Sequence, residues 1–126
     1  MSPELHPRSD AELVDAFLRH FATKDDGLFW AWQQMHEYLI SDPNHAWRLT
    51  LQLIDAAQTP EELSFIGAGP LENLLYGRGD MIIDEVERLA RQDPKFRRAL
   101  QGVYNESESP GDVHDRVNKA AAGTSN

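Results

Sequence analysis

The sequence lacks cysteine, and it lacks any apolar run long enough to cross a membrane. A chain without cysteine has no disulfide, no thiol nucleophile and no thiolate ligand for zinc, and it gives no sign of an oxidising compartment. Residues 1–9 are polar, contain two prolines and have no apolar segment of the kind that signal peptides need. We therefore expect a cytoplasmic protein without a membrane partner.

Positive charge is also scarce. The chain carries 12 Lys and Arg against 21 Asp and Glu, which gives a net charge of −9. Residues 1–63 hold eleven Asp and Glu but only four Lys and Arg. Nucleic acid repels such a chain, so we expect no nucleic-acid partner, whereas a basic protein partner is electrostatically favoured. A simpler explanation of the acidity is that it keeps the protein soluble.

Strand patterns are absent, whereas helix-start patterns recur. Ser9 with Glu12, and Thr59 with Glu62, fit the capping-box pattern. Apolar residues at helical spacing predict helices over residues 10–22, 28–40, 43–58, 60–66 and 71–76, and two more that begin near residues 80 and 94. The helix over 43–58 is apolar on most of its circumference, which is typical of a buried position. We predict an all-α fold of six or seven short helices, packed as hairpins around this central helix.

The length of 126 residues fits one domain. We assign residues 1–9 to an N-terminal extension, residues 10–104 to the helical domain and residues 105–126 to a polar tail. The tail is rich in Ser, Glu, Gly and Ala and contains Pro110. A weak helix over residues 113–121 is one alternative, but the composition favours a flexible tail.

A loop rich in glycine, Gly67-Ala68-Gly69-Pro70, separates the predicted fourth and fifth helices. Glycine loops before helices form one class of phosphate site. This loop matches neither the dinucleotide fingerprint nor the P-loop, and Glu72 in the next helical turn would repel an anion. We interpret Gly67–Pro70 as a tight turn whose glycines allow close packing.

No pattern in the sequence indicates catalysis. None of the five histidines has a partner at a helical metal-ligand spacing, and no serine lies in a nucleophile elbow. We therefore predict no catalytic residue, no cofactor and no metal site. The alternative is an enzyme or small-molecule binder with a site between helices, for which Glu72, Arg48 and His36 are the residues to consider.

The second helix offers a candidate surface for a protein partner. If Trp32 faces the core together with Met35, the helical rotation of about 100° per residue places Trp30 on the polar side, near Gln34 and Glu37. An exposed tryptophan is a good anchor for a partner protein. The alternative is that another segment covers Trp30.

The only concentration of basic residues is a second candidate. Arg88, Arg91, Lys95 and Arg98 lie close together in an otherwise acidic chain. They would suit an acidic partner or a local anion. The alternative is that they offset a helix dipole and form a solvated face, as charged runs on helices usually do.

Several stretches resemble a family of small bacterial domains that has no known function. The most specific are Gly-Ala-Gly-Pro-Leu-Glu at residues 67–72 and Asp-Pro-x-Phe-Arg-x-Ala-Leu at residues 93–100, and the similarity extends over residues 10–104. The resemblance implies a bacterial, helical, stand-alone domain, and it transfers no catalytic or binding residue. With the acidic charge, it leads us to predict a non-enzymatic protein-protein interaction module, of the kind that acts as an immunity protein or adaptor.

Overall fold

The computed structural model describes residues 9–103 and 111–122, with the side chains of the second range described from residue 116 onward. Its helices are α1 (Asp10–Thr23), α2 (Phe29–Ser41), α3 (Pro43–Ala56), α4 (Pro60–Ile66), α5 (Glu72–Gln92), α6 (Pro94–Leu100) and α7 (Gly111–Ala121). These ranges contain no β-strand, so the predicted all-α class is confirmed. None of the described helices has both the length and the apolar character of a membrane span. Residues 1–8 of the predicted extension over residues 1–9, and Tyr104 at the end of the predicted helical domain, lie outside the described residues.

The predicted helix starts are present in the structure. The Ser9 hydroxyl accepts a hydrogen bond from the Glu12 backbone at 3.1 Å, and the Glu12 carboxylate accepts one from the Ser9 backbone at 3.2 Å. Thr59 and Glu62 form the same reciprocal pair at the start of α4. Each box satisfies backbone N–H groups that a helix start otherwise leaves without partners.

Helix α3 packs against α1, α2, α4, α5 and α6. Leu49 and Leu53 are fully buried on it, and the buried Thr50 hydroxyl donates to the Ala46 carbonyl at 2.8 Å. The opposite side of the helix, with Arg48 and Gln52, is exposed. Helix α3 therefore has one buried face, and an arrangement of the whole fold around it stays a prediction.

The ends of α4 and α6 touch through their backbones. A Cβ atom added at Gly67 would overlap the backbone oxygen of Ala99, and one at Gly102 would lie 2.7 Å from the backbone oxygen of Ser64. The interpretation of Gly67 as a residue that allows close packing is therefore correct. Residues Gly67–Leu71 do not break the chain into a loop, however, but form a π-helical turn that joins α4 to α5.

Helix α5 replaces the two short helices predicted over residues 71–76 and from residue 80. It continues through the intervening glycines with a kink at Arg78, where φ is −137° and ψ is 28°. Asp80 consequently lies inside the helix instead of at its start. Leu74 and Ile82 are both buried on either side of the kink, and this packing compensates for the low helix propensity of glycine.

Helix α7 lies within the segment that we expected to be a flexible tail. It packs against α5 and α6, with Val117 and Ala120 buried. The Arg116 guanidinium bonds to Glu87 on α5 at 2.6 and 2.8 Å. The structure thus contains the helix that the sequence analysis considered the weaker alternative, because contacts with α5 supply the stability that its composition does not.

Candidate functional site

The outer face of α2 carries an exposed row of apolar and aromatic side chains, which we call the α2 stripe: Phe29, Trp32, His36 and Ile40. Their spacing of three and four residues places them on one side of the helix. Phe29 is 39% exposed, Trp32 42% and Ile40 70%. Single exposed apolar residues are common, but a contiguous row of large ones marks a surface that contacts another molecule.

Stacking orders the rings of the α2 stripe. The centroids of Phe29 and Trp32 lie 5.3 Å apart with their planes at 12°, and those of Trp32 and His36 lie 5.3 Å apart at 3°. The His20 ring of α1 continues the row, 5.6 Å from Phe29. Rings that are already held by their neighbours lose little rotamer freedom when a partner binds. The α2 stripe is therefore an exposed apolar surface whose rings are held by their neighbours.

The cavity beside the α2 stripe is too small for a substrate. It has a volume of about 30 Å³ and lies between Trp32, His36 and the π-helical turn at Gly69 and Pro70. A space of this size holds on the order of one water molecule. This cavity therefore gives no support to an enclosed site beside the α2 stripe.

Acidic residues flank the α2 stripe at both ends. Asp25 and Asp26 are exposed just before α2, and Asp42 is exposed just after it. Glu37 is exposed on the helix itself. The ammonium group of Lys24, just before Asp25, lies over the Phe21 ring, 4.9 Å from the ring centroid. Because carboxylates border the apolar row, its charge complements a partner with basic groups around an apolar centre.

The two tryptophans of α2 follow the alternative of the sequence analysis in which Trp30 is covered, and the assumption that Trp32 faces the core is wrong. Trp30 is half-buried and packs against the core, whereas Trp32 is exposed. The buried face of α2 is centred on Ala31 and Met35, and the two tryptophans lie on its opposite edges. Neighbouring helices cover one edge and leave the other open, which the periodicity of a single helix does not reveal.

The other predicted partner-binding residues are separated from this exposed row. Gln34 is half-buried and Glu37 is exposed, and both lie on the side of α2 that carries Trp30. Their binding role, with that of Trp30, stays a prediction. The sequence analysis did not select the residues of the α2 stripe, although the spacing of positions 29, 32, 36 and 40 was a usable signal.

The candidate basic residues have mixed surroundings. Arg88 bonds to Glu85 and to Gln92, each at 3.3 Å, within its own helix. Lys95 donates to the Asp55 carbonyl near the end of α3, a structural contact between helices. The remaining two residues of the group, Arg91 and Arg98, are exposed. A binding function for the group stays a prediction.

The residues considered for an enzymatic site are distributed over three helices. His36 belongs to the α2 stripe, Arg48 is exposed on α3 and Glu72 is half-buried at the start of α5. Neither Arg48 nor Glu72 lines the cavity beside His36. In the described part of the chain, no three His, Asp or Glu side chains are grouped as metal ligands would be.

One pair of residues with possible chemistry was missed by the sequence analysis. His45 Nε2 lies 2.9 Å from Asp10 Oδ1, and the imidazole packs on the Tyr38 ring with centroids 4.1 Å apart. A hydrolytic site would need a nucleophile on the other imidazole nitrogen. Over residues 9–103 and 116–122 that nitrogen has no hydrogen-bond partner. The pair therefore connects the starts of α1 and α3.

A comparison of the sequence with family models gives a match over most of the chain. A model described as "Family of unknown function (DUF6869)" matches residues 19–125. The chain belongs to this family. The match confirms a resemblance to a family of unknown function. It begins at residue 19, within α1, and extends past residue 104 to include α7. No curated protein and no solved structure matches the chain.

Proposed function

We propose that this protein is a non-enzymatic interaction module that binds a partner protein through the α2 stripe. The observation that carries the proposal is the stacked, exposed row of Phe29, Trp32 and His36, extended by Ile40. An adaptor-like or immunity-like protein of the bacterial cytoplasm would act in this way. The partner presents apolar side chains to the stripe and basic side chains around them.

The stripe has the composition of an interface centre. Trp32 lies between two stacked rings, and tryptophan near the centre of an interface contributes more binding free energy than most residues. The exposed carboxylates of Asp26 and Glu37 lie outside this row, where charged groups affect the association rate more than the final affinity. The proposal therefore assigns affinity to the rings and partner selection to the carboxylates.

Differential capture tests the proposal. The tagged protein is immobilised and exposed to lysate of its source organism, in parallel with Trp32→Ala and with Met81→Ala. Met81 is 56% exposed on α5 and serves as the matched control for loss of an exposed apolar side chain. We expect a stoichiometric partner to be retained by the original protein and by the control, and lost by Trp32→Ala.

The captured partner is then purified and its binding measured directly. Truncation of a central tryptophan costs about 2 kcal/mol or more, so Trp32→Ala should weaken the complex by about 30-fold. Its free energy of unfolding should fall by about 1 kcal/mol and the protein should stay folded, because Trp32 is 42% exposed and loses mainly its stacking on Phe29 and His36. Equal capture by all three proteins, or an affinity insensitive to Trp32, would rule out the α2 stripe as the binding surface.

A further inference from the structure

A second concave surface lies on another side of α1, between that helix, the second half of α3 and the start of α4. This α1–α3 groove has a volume of about 680 Å³, within the roughly 300–1,000 Å³ that small-molecule sites occupy. Its apolar floor is formed by Val14, Leu18 and Leu51, with alanines at its margins. Leu18 and Leu51 are only half-buried, so their apolar surface is available to a ligand.

The charged groups of the α1–α3 groove have an excess of carboxylates. Asp15, Asp55 and Glu62 line it together with one cation, Arg19. The Arg19 guanidinium pairs with the Asp15 carboxylate at 3.3 Å, so these two charges offset each other. The other two charged side chains of the groove, Asp55 and Glu62, are both acidic.

The two remaining carboxylates differ in their availability. Glu62 Oε1 accepts hydrogen bonds from the backbones of Gln58 and Thr59, at 2.7 and 3.2 Å, and caps α4. The Asp55 carboxylate is exposed and has no hydrogen bond or ion pair to any residue that the structure describes. Lys95 approaches Asp55 from the α6 side, but it donates to the backbone carbonyl. Asp55 is thus the carboxylate best placed to receive a ligand.

We propose that the α1–α3 groove binds an organic cation with an apolar body, whose ammonium group is received by Asp55. The apolar body would cover Leu18 and Leu51 and remove them from water. The exposed side chain of Gln52, one helical turn before Asp55, adds a neutral amide to the same rim. An anion with the same apolar body would be repelled by Asp55 and Glu62. This site is separate from the α2 stripe, so either proposal can fail without the other.

A pair of probes with the same apolar body and opposite charge tests the site. Decylamine and decanoate are titrated, below their micelle concentrations and at low ionic strength, into protein with labelled methyl groups. We expect saturable shifts at the methyls of Val14, Leu18 and Leu51, and about tenfold tighter binding of the amine. Equal affinity for the two probes, shifts centred on the Ile40 methyls of the α2 stripe, or no saturable binding would overturn the proposal.

A charge change at the rim makes the test sharper. Gln52→Lys adds a cation at an exposed position that lines the groove, and should weaken decylamine binding by about tenfold while strengthening decanoate binding. Gln33→Lys adds the same charge at an exposed position of α2 and is the matched control, which should leave both affinities unchanged. If both variants have the same effect, net charge and not the α1–α3 groove governs binding, and the proposal is wrong.

Discussion

Helices α4 and α6 meet through two glycines that bring their backbones into contact, whereas α7 meets α5 around the guanidinium of Arg116. At the first contact, Gly67 lies against the Ala99 carbonyl and Gly102 against the Ser64 carbonyl. Neither glycine has room for a Cβ atom. This contact depends on shape, and neither salt nor pH has a charged group there to act on.

The second contact depends on charge. Arg116 Nε and Nη2 bond to the two oxygens of Glu87, and Nη2 also lies 2.6 Å from Asp84 Oδ1. The hydrogen bonding of Arg116 to Glu87 holds the pKa of Glu87 below its ordinary value, and the bonds to Glu87 and Asp84 raise the pKa of Arg116. Among the α7 side chains that the structure describes, from residue 116 onward, Val117 and Ala120 are buried beside them. The two contacts should therefore respond to different perturbations.

The largest effect is expected at the α4–α6 contact. Gly67→Ala places a methyl group on the Ala99 backbone oxygen, so one of the two helices must move. Overpacking of this kind should cost about 3 kcal/mol of the free energy of unfolding. Urea denaturation followed by circular dichroism measures the change.

The matched control is Gly77→Ala in α5. A Cβ atom at Gly77 meets no other atom within 4 Å, and the residue lies in a helix. The same chemical change should therefore be neutral or stabilise by up to about 1 kcal/mol, because alanine has the higher helix propensity. Equal effects of the two substitutions would contradict the assignment of Gly67 to a steric contact.

The next effect is expected at the α5–α7 contact. Arg116→Met retains the apolar stem of the side chain and removes all three hydrogen bonds to Glu87 and Asp84. Amide hydrogen exchange within α7 should accelerate strongly, because α7 loses its bonds to α5. Exchange in α3 should stay unchanged, because α7 packs against α5 and α6 and the fully buried residues of α3 lie in the core. Arg98→Met, at an exposed position of α6, is the control and should leave both rates unchanged.

A smaller effect is expected from pH. The pKa of Glu87 is lower in the folded protein than its ordinary value of 4.5. The ionised Glu87 carboxylate therefore stabilises the docking of α7 at pH values above 4.5. The contribution is lost as the pH falls through the lower, folded-state pKa. The amide chemical shifts of Val117 and Ala120 should change as the pH falls below 4.5. Glu87→Gln should reduce this acid step, and an identical step in both proteins would assign it to another carboxyl group.

The features that could be predicted from sequence are those that a few neighbouring residues determine. The capping boxes at Ser9 and Thr59 need only a carboxylate three residues later, and both are present in the structure. Helix α7 was given only as the weaker alternative to a flexible tail, because Arg116 bonds to carboxylates 29 and 32 residues away, on another helix. The sequence analysis correctly linked Gly67 with close packing. It did not identify Gly102, the second glycine of this contact, because the position of Gly102 depends on how α6 packs against α4.

The candidate surface was predicted less well than the fold. Trp30 and Trp32 are two positions apart in sequence, and the helix places them on opposite edges of one buried face. Which edge becomes exposed depends on the position of α1 and of the π-helical turn, where Gly69 and Pro70 lie beside Trp32. A single sequence specifies the apolar positions of α2, whereas the tertiary fold decides which of them remain open to a partner.

The smallest effect, and the most direct comparison of the two contacts, is expected from salt. Surface ion pairs weaken at high ionic strength, because the Debye length falls from about 10 Å at 0.1 M to about 3 Å at 1 M. Arg116 is partly exposed and Asp84 almost fully, so hydrogen exchange in α7 should rise modestly between 0.1 M and 1 M NaCl. Exchange of the Gly102 amide, which bonds to the Ala99 carbonyl at the α4–α6 contact, should not rise with it. If salt accelerates both equally, the two contacts open together and the distinction between a steric and an ionic contact fails.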